Sequence, residues 1–293
     1  MQDAPAFFTS EVNLLGECPL WDHRQQRLFW VDTRAMAIKS AARAEGPVTT
    51  WTFDKPVGSI GLAPDGLIAA LSDAFVLIDG ATGAQTTLAE VAIPAPGYRL
   101  NDGKADRNGR FIAGHMNPTG GDAGEVWSVD LSGRTRRLET GVGLSNGLCF
   151  SPAGDIMYFA DTMTGFLRRY AYDPATGQIS DRDDFLDCRL HGSLPDGATV
   201  DSEGCLWVAM VQTGKLARFA PDGRFLEDRD SPVKYPSCPA IGGADLDQLF
   251  VTTISHSGGN LINTEPDAGR IPVIGALPAS GLPETVLGAP QHP

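Results

Sequence analysis

Short apolar stretches recur along the chain, and each follows a polar turn. They occupy residues 28–31, 67–70, 111–113, 156–159, 206–208 and 249–251, and their first residues are separated by 39, 44, 45, 50 and 43 positions. Most of these stretches are followed by a second alternating segment that ends at a Gly, Asp or Pro turn, as at Gly124–Val129. Alternating segments bounded by such turns predict β-hairpins. A repeat of this length made only of strands predicts a six-bladed β-propeller with four strands per blade.

The repeat leaves no segment for a second fold. The six units occupy the 293 residues without a low-complexity linker, and no long amphipathic helix is evident. We therefore expect one all-β domain over residues 1–293, with both chain termini near one closing blade. A two-sheet β-sandwich is the competing fold, and it is disfavoured because sandwiches lack so regular a long repeat.

Composition agrees with a globular β protein. Hydrophobic residues make up 42% of the chain and charged residues 20%, while 34 Gly and 21 Pro favour tight turns over long helices. The net charge of −13 argues against nucleic acid or an anionic membrane as a partner. The first ten residues have neither the basic start nor the apolar run of a signal peptide. We expect a cytoplasmic protein that is a monomer or a weak homo-oligomer.

The five cysteines form no Cys-x-x-Cys pair, and an odd number leaves one unpaired in any scheme. We interpret them as buried apolar residues in a reducing compartment. Cys18 and Cys238 could line the axis of the propeller. A nucleophilic role is disfavoured because no histidine directly flanks either of them in the sequence.

Four units carry an oxygen-bearing side chain at one position of the repeat. Asn101, Asn146 and Asp196 each lie eight positions before the glycine of a tight turn, and Glu17 is their counterpart in the first unit. Residues in one register of a circular repeat converge on its axis. Two carboxylates and two amides suit a divalent cation, and four protein ligands leave coordination positions open for water and substrate.

The other positions of that register, and the neighbouring acids, are assigned more ordinary roles. Unit two offers Gly58, and unit six offers a residue near Cys238 or Pro239. Taken singly, Asn and Asp before Gly are common turn formers whose side chains bond their own backbone. We interpret four further aspartates as turn residues of this kind: Asp65, Asp102, Asp106 and Asp201.

The segments around these residues resemble the SMP-30/gluconolactonase/regucalcin family over nearly the whole chain. The resemblance rests on the Gly-Glu-Cys-Pro-Leu-Trp at 16–21, the Arg-Leu-Asn-Asp-Gly-Lys at 99–104, the Ser-Asn-Gly at 145–147 and the Pro-Asp-Gly at 195–197. It implies a six-bladed propeller that binds one divalent metal through Glu17, Asn146 and Asp196. It further implies hydrolysis of aldonic-acid lactones, with Asp196 as general base, Arg99 binding substrate, and Asn101 beside the metal, directly or through water.

The chain also departs from the family pattern. Thr119 stands where some sugar lactonases of the family carry an acidic substrate-binding residue, and His115 stands where a small hydroxyl residue is common. We expect Thr119 and His115 to contact substrate, and His191 is a further candidate donor because strand ends at a propeller mouth often carry function. Four of the five tryptophans are assigned to core packing: Trp21, Trp30, Trp127 and Trp207.

The residues leave several functions open. The main hypothesis is a metal-dependent sugar lactonase, and the five histidines show no catalytic triad spacing that competes with it. The alternatives are hydrolysis of an organophosphate or a non-sugar lactone at the same site, or a non-catalytic calcium-binding propeller. Oxygen ligands accept Ca, Mg, Mn or Zn, so the sequence does not name the metal.

Overall fold

The strands of this chain form six four-stranded antiparallel sheets. The structure is a computed structural model that describes residues 6–289. The strands that belong to the first three blades are β2 (Gly16–Asp22), β3 (Arg27–Asp32), β4 (Ala37–Ala41) and β5 (Thr49–Thr52); β6 (Val57–Ala63), β7 (Gly66–Leu71), β8 (Ala74–Asp79) and β9 (Gln85–Glu90); and β10 (Arg99–Ala105), β11 (Phe111–Met116), β12 (Gly124–Val129) and β13 (Thr135–Val142).

The remaining blades follow the same plan. Their strands are β14 (Ser145–Phe150), β15 (Ile156–Asp161), β16 (Phe166–Asp173) and β17 (Gln178–Asp187); β18 (Pro195–Val200), β19 (Leu206–Met210), β20 (Lys215–Phe219) and β21 (Phe225–Asp230); and β22 (Pro236–Gly242), β23 (Gln248–Thr253) and β24 (Pro272–Ile274), with β1 (Ala6–Phe7) outermost. Within residues 6–289 the only helix is a four-residue 3₁₀ turn at Cys188–His191, and none is long or apolar enough to cross a membrane.

The first strand of each blade lies innermost. These strands contact one another in the closed order β2, β6, β10, β14, β18, β22 and back to β2. The predicted six-bladed propeller is therefore confirmed, and the sandwich is excluded. Apolar side chains of facing blades form the core between them, as Val31 of blade one does with Ile60 and Leu62 of blade two. Trp21, Trp30 and Trp207 are buried there as predicted, whereas Trp127 is half-buried.

Two different segments close the ring. At the N-terminal end, β1 pairs with β24 (Ala6 opposite Val273), so the start of the chain completes blade six. Residues 280–289 instead run across one face of the propeller, from blade six to blade two. The Gly281 N–H donates to Leu246 O, and the Leu287 N–H donates to Leu62 O at 2.8 Å. The segment that ends at residue 289 thus reaches blade two, and the expectation about both chain termini falls on residues outside the range 6–289.

A half-buried ion pair fixes this crossing segment to the axis. Lys104, on the innermost strand of blade three, pairs with Glu284. Burial lowers the pKa of Lys104, but the charge of Glu284, its hydrogen bond to Lys104 and smaller contributions from Cys18 and Cys238 together outweigh burial, and the pKa lies above its usual range. The base of the propeller is closed by a charged contact, and the opposite face is left for a ligand.

Candidate functional site

A cavity of about 760 Å³ opens on the axis at the mouth of the propeller. Its lining includes five of the residues that the sequence brought forward: Glu17, Arg99, Asn101, Asn146 and Asp196. They come from the innermost strands of blades one, three, four and five. The convergence predicted from the common register of the repeat is therefore present.

β-Bulges aim these side chains at the axis. The pairing register is interrupted in all six innermost strands at the same level, for example between Glu17 and Leu20 and between Asn146 and Cys149. A bulge leaves a residue outside the ladder and re-aims its side chain. At Gly147 the backbone φ is +57° and an added Cβ would lie 3.0 Å from the Ala160 Cβ, so glycine is needed where the strand turns Asn146 inward.

The two remaining blades offer small residues at this level. An added Cβ on Gly58 would lie 2.5 Å from Asn101 O, so glycine allows the strands of blades two and three to approach closely. In blade six the bulge falls on Ser237, next to Cys238. The Ser237 hydroxyl is buried and lies 2.5 Å from Gly16 O, to which it donates. It joins blades six and one and does not line the cavity.

The amide groups are oriented by neighbouring blades. Asn146 Nδ2 donates to Thr162 Oγ1 at 2.9 Å, and that hydroxyl donates to Pro195 O at 2.8 Å. The Asn146 Oδ1 is therefore held on the side that faces Asn101 Nδ2, at 3.2 Å. Asn101 donates to Ser145 O and accepts from Arg99 Nη1 at 2.7 Å. The Asn101 amide thus connects Arg99 to Asn146.

The two carboxylates lie in an unfavourable environment for negative charge. Burial raises the pKa of Glu17 well above its usual range, and the charges of Asp196 and Asp102 raise it further. Burial and the charge of Asp102 likewise raise the pKa of Asp196. Asp196 Oδ1 is buried and has no hydrogen-bond partner among residues 6–289. Arg99 opposes the shift at Glu17 but is itself buried enough that its pKa is lowered to about 10.

This donor set fits a divalent cation. A buried carboxylate oxygen without a partner, a second carboxylate and a fixed amide oxygen are hard ligands, and a dication would neutralise the two negative charges. Asn101 is less available because its amide oxygen accepts a 2.7 Å hydrogen bond from the charged Arg99, whereas the Asn146 oxygen accepts only a longer one, at 3.2 Å, from a neutral amide. Glu17, Asn146 and Asp196 are therefore the residues that could hold a metal.

Asp102 was missed by the sequence analysis. It is buried on β10, and its carboxylate accepts N–H donors from Gly103 and from Leu148 of the next blade, both at 2.9 Å. Burial raises its pKa to about 6. The interpretation as a turn residue is wrong because the bulge at Asn101 and Asp102 places both inside the strand. Asp65, in contrast, is exposed in a turn, as predicted.

The structure separates the predicted substrate-binding residues. Thr119 lines the mouth, on the loop between β11 and β12, where its hydroxyl donates to Asn117 Oδ1 at 2.8 Å. His115 is fully buried, its Nδ1 accepts the Glu125 N–H at 3.2 Å, and it is not part of the cavity lining. His191 is exposed and packs against Phe219 and Phe225, away from the cavity. Strand-end position alone did not predict side-chain direction.

Two other groups with potential chemistry are already accounted for. Asp201, Glu203 and Cys205 approach one another at the base of blade five, but Arg218 pairs with both carboxylates, at 2.7 and 2.9 Å. The five cysteines are buried and unpaired. Burial raises the pKa of Cys18 to about 12 and that of Cys238 well above its usual range, so neither thiol is an effective nucleophile.

The chain resembles known proteins in both sequence and fold. Residues 15–255 match the family described as the SMP-30/Gluconolactonase/LRE-like region. The chain is 36% identical over 246 residues to a 6-deoxy-6-sulfogluconolactonase of Pseudomonas putida, covering 83% of this chain and 84% of that protein. It is 34% identical over 280 residues to a pentonolactonase of Haloferax volcanii, covering 92% and 93%. The crystal structure of a calcium-binding regucalcin from Agrobacterium tumefaciens superposes with a TM-score of 0.90 at 27% identity, covering 97% of each chain. The chain therefore belongs to the SMP-30/gluconolactonase/LRE-like family.

Proposed function

We propose that this protein hydrolyses a sugar-acid lactone to the open aldonic acid, using one divalent cation held by Glu17, Asn146 and Asp196. The observation that carries the proposal is a buried Asp196 oxygen that lies in the lining of an open axial cavity and has no hydrogen-bond partner among residues 6–289. Two relatives are named for the lactones of six-carbon and five-carbon sugar acids, which supports this substrate class.

The chain's own residues supply positioning and proton transfer. A bound divalent cation supplies Lewis acidity, which polarises a lactone carbonyl and stabilises the oxyanion that forms on it. Asp196 has two carboxylate oxygens, so it could hold the cation through one and accept the proton of the attacking water through the other. Arg99 presents its remaining N–H donors to the sugar hydroxyls, and Asn101, which accepts from Arg99 at 2.7 Å in the same cavity, helps to hold the ring in a reactive orientation.

The open cavity favours a hydrolase over a non-catalytic calcium-binding propeller. A structural ion is normally enclosed by protein ligands, whereas this site faces a large cavity beside an arginine. A hydrolase for organophosphates or non-sugar lactones would use the same groups.

Screening a panel of aldonolactones, non-sugar lactones and phosphotriesters, with Ca, Mg, Mn and Zn added singly after chelation, separates these functions. The proposal requires aldonolactones to be the best substrates.

Thr119 is expected to determine how much of the sugar chain is recognised. Its hydroxyl is neutral and already donates to Asn117, so the mouth has no acidic acceptor at that place. We expect lactones of five-carbon or deoxy sugars to be used at least as well as gluconolactone. Thr119→Glu should raise kcat/KM for the longer polyol relative to the shorter by about fivefold, because a charged acceptor strengthens a hydrogen bond to a distal hydroxyl.

The matched control is Thr119→Gln, which has similar length without the charge and should change the ranking less. Steady-state kinetics on gluconolactone and on a five-carbon lactone measures both variants. A tenfold preference of the unmodified protein for gluconolactone over every shorter lactone would show that this account of the mouth is wrong.

A further inference from the structure

The charge of the axial cavity differs from that of the whole protein. The chain has a net charge of −13. The lining of the cavity, however, contains two carboxylates, Glu17 and Asp196, and two guanidinium groups, Arg99 and Arg34. Once a dication neutralises the carboxylates, the cavity carries a net positive charge. A ligand with a negative charge would be favoured there.

Arg34 is held at the rim by a neutral group. It lies on the loop between β3 and β4, and its Nη1 is 2.8 Å from Nδ1 of His256, on the loop between β23 and β24. The same Nδ1 accepts the Gly258 N–H at 3.1 Å, so that nitrogen carries no proton and acts as an acceptor for Arg34. An added Cβ on Gly258 would lie 3.0 Å from Arg34 Nη1, so glycine makes room for the guanidinium.

This anchor positions the guanidinium without neutralising it. Nineteen ion pairs join residues within 6–289, and Arg34 takes part in none of them. Its other N–H groups have no acceptor in that part of the chain. Arg99 differs, because its Nη1 donates to Leu100 O and Asn101 Oδ1 near the floor of the cavity. Arg34 is thus a fixed, uncompensated cation at the rim.

We propose that Arg34 binds an anionic substituent of the substrate, at the end of the molecule away from the lactone carbonyl. The inference rests on the proposed lactonase function and narrows its substrate class to aldonolactones that bear a sulfonate, phosphate or carboxylate. A guanidinium matches such groups because its N–H donors form paired, charge-assisted hydrogen bonds with their oxygens. The cavity of about 760 Å³ leaves room for a substituted sugar.

The test measures binding of open-chain products by calorimetry, which does not depend on turnover. The probes are gluconate, 6-phosphogluconate, glucarate and a six-carbon aldonate with a terminal sulfonate, each added to the metal-loaded protein. We expect at least one terminally anionic probe to bind about tenfold tighter than gluconate, with the advantage shrinking at high salt. The probe with the largest advantage identifies the anion.

Arg34→Gln should remove that advantage, and Arg34→Lys should retain part of it. The matched control is Arg43→Gln, which removes the same charge from an exposed position of blade one outside the cavity lining. It should leave the ranking of probes and the hydrolysis of neutral lactones unchanged. Equal affinity for gluconate and all anionic probes, or an equal effect of the Arg34 and Arg43 variants, would overturn the inference.

The outcomes for the two proposals are distinguishable. Hydrolysis of neutral lactones without any preference for anionic ones would contradict the role of Arg34 and leave the lactonase function intact. Arg34-dependent binding of an anionic aldonate, with no lactone hydrolysed under any metal, would support the anion site and contradict the lactonase function.

Discussion

Replacing Asp196 by Asn is expected to lower kcat/KM for lactone hydrolysis by about three orders of magnitude or more. The substitution removes the proposed general base, which alone contributes roughly 10²–10⁴ in rate, and it weakens a cation ligand as well. Burial and the neighbouring charge of Asp102 raise the pKa of Asp196, so its ionised form destabilises the metal-free fold at neutral pH. The amide that replaces this carboxylate is neutral, and the metal-free variant should therefore unfold at the same temperature as the original protein or higher.

The control is Asp65→Asn, the same chemical change in an exposed turn at the base of the propeller. It should retain full activity. Steady-state kinetics and thermal unfolding of both variants, with and without metal, complete the test. A loss of activity in Asp196→Asn that is accompanied by a matching loss of thermal stability would indicate a structural role instead of a catalytic one.

Removing divalent metal is expected to abolish hydrolysis, and restoring one cation per chain should recover it. Metal-free protein should also be less stable as the pH rises above the usual carboxyl range, because Glu17 and Asp196 have raised pKa values and must ionise inside the fold. A cation at about 100 times its dissociation constant should add roughly 2.7 kcal/mol to the free energy of unfolding.

Calorimetric unfolding of chelated and reloaded protein measures this gain separately from activity. Glu17→Gln serves as the comparison variant, because it removes one of the two charges that a cation would neutralise. That variant should gain less stability from the same metal. Undiminished hydrolysis by the chelated protein would rule out a metal requirement.

The sequence predicted both the fold and the convergence of the main site residues on its axis. The regular spacing of the six apolar stretches predicted six blades, because each interval has the length of one four-stranded blade. The common register of Glu17, Asn101, Asn146 and Asp196 predicted convergence, because equivalent positions of such a repeat face the same axis. Both predictions depend on periodicity, which one sequence displays directly.

Features without periodicity were not predicted. Asp102 follows Asn101 directly, and only the bulge decides that both are buried. Side-chain direction at a strand end depends on packing. For this reason His115 is buried and His191 is exposed, and neither side chain lines the cavity. The contact between Arg34 and His256 joins residues 222 positions apart, which no local pattern reveals.

The closure of blade six by β1 has a consequence for the order of events during synthesis. The N-terminal end of the chain leaves the ribosome first, so blade one emerges long before blade six, although the two are neighbours in the ring. Glu17 cannot take its place beside Asp196 until β22 to β24 have emerged and closed the circle. The cation pocket is therefore completed only after blade six has emerged, although a nascent chain that has reached the fifth blade already carries every proposed ligand.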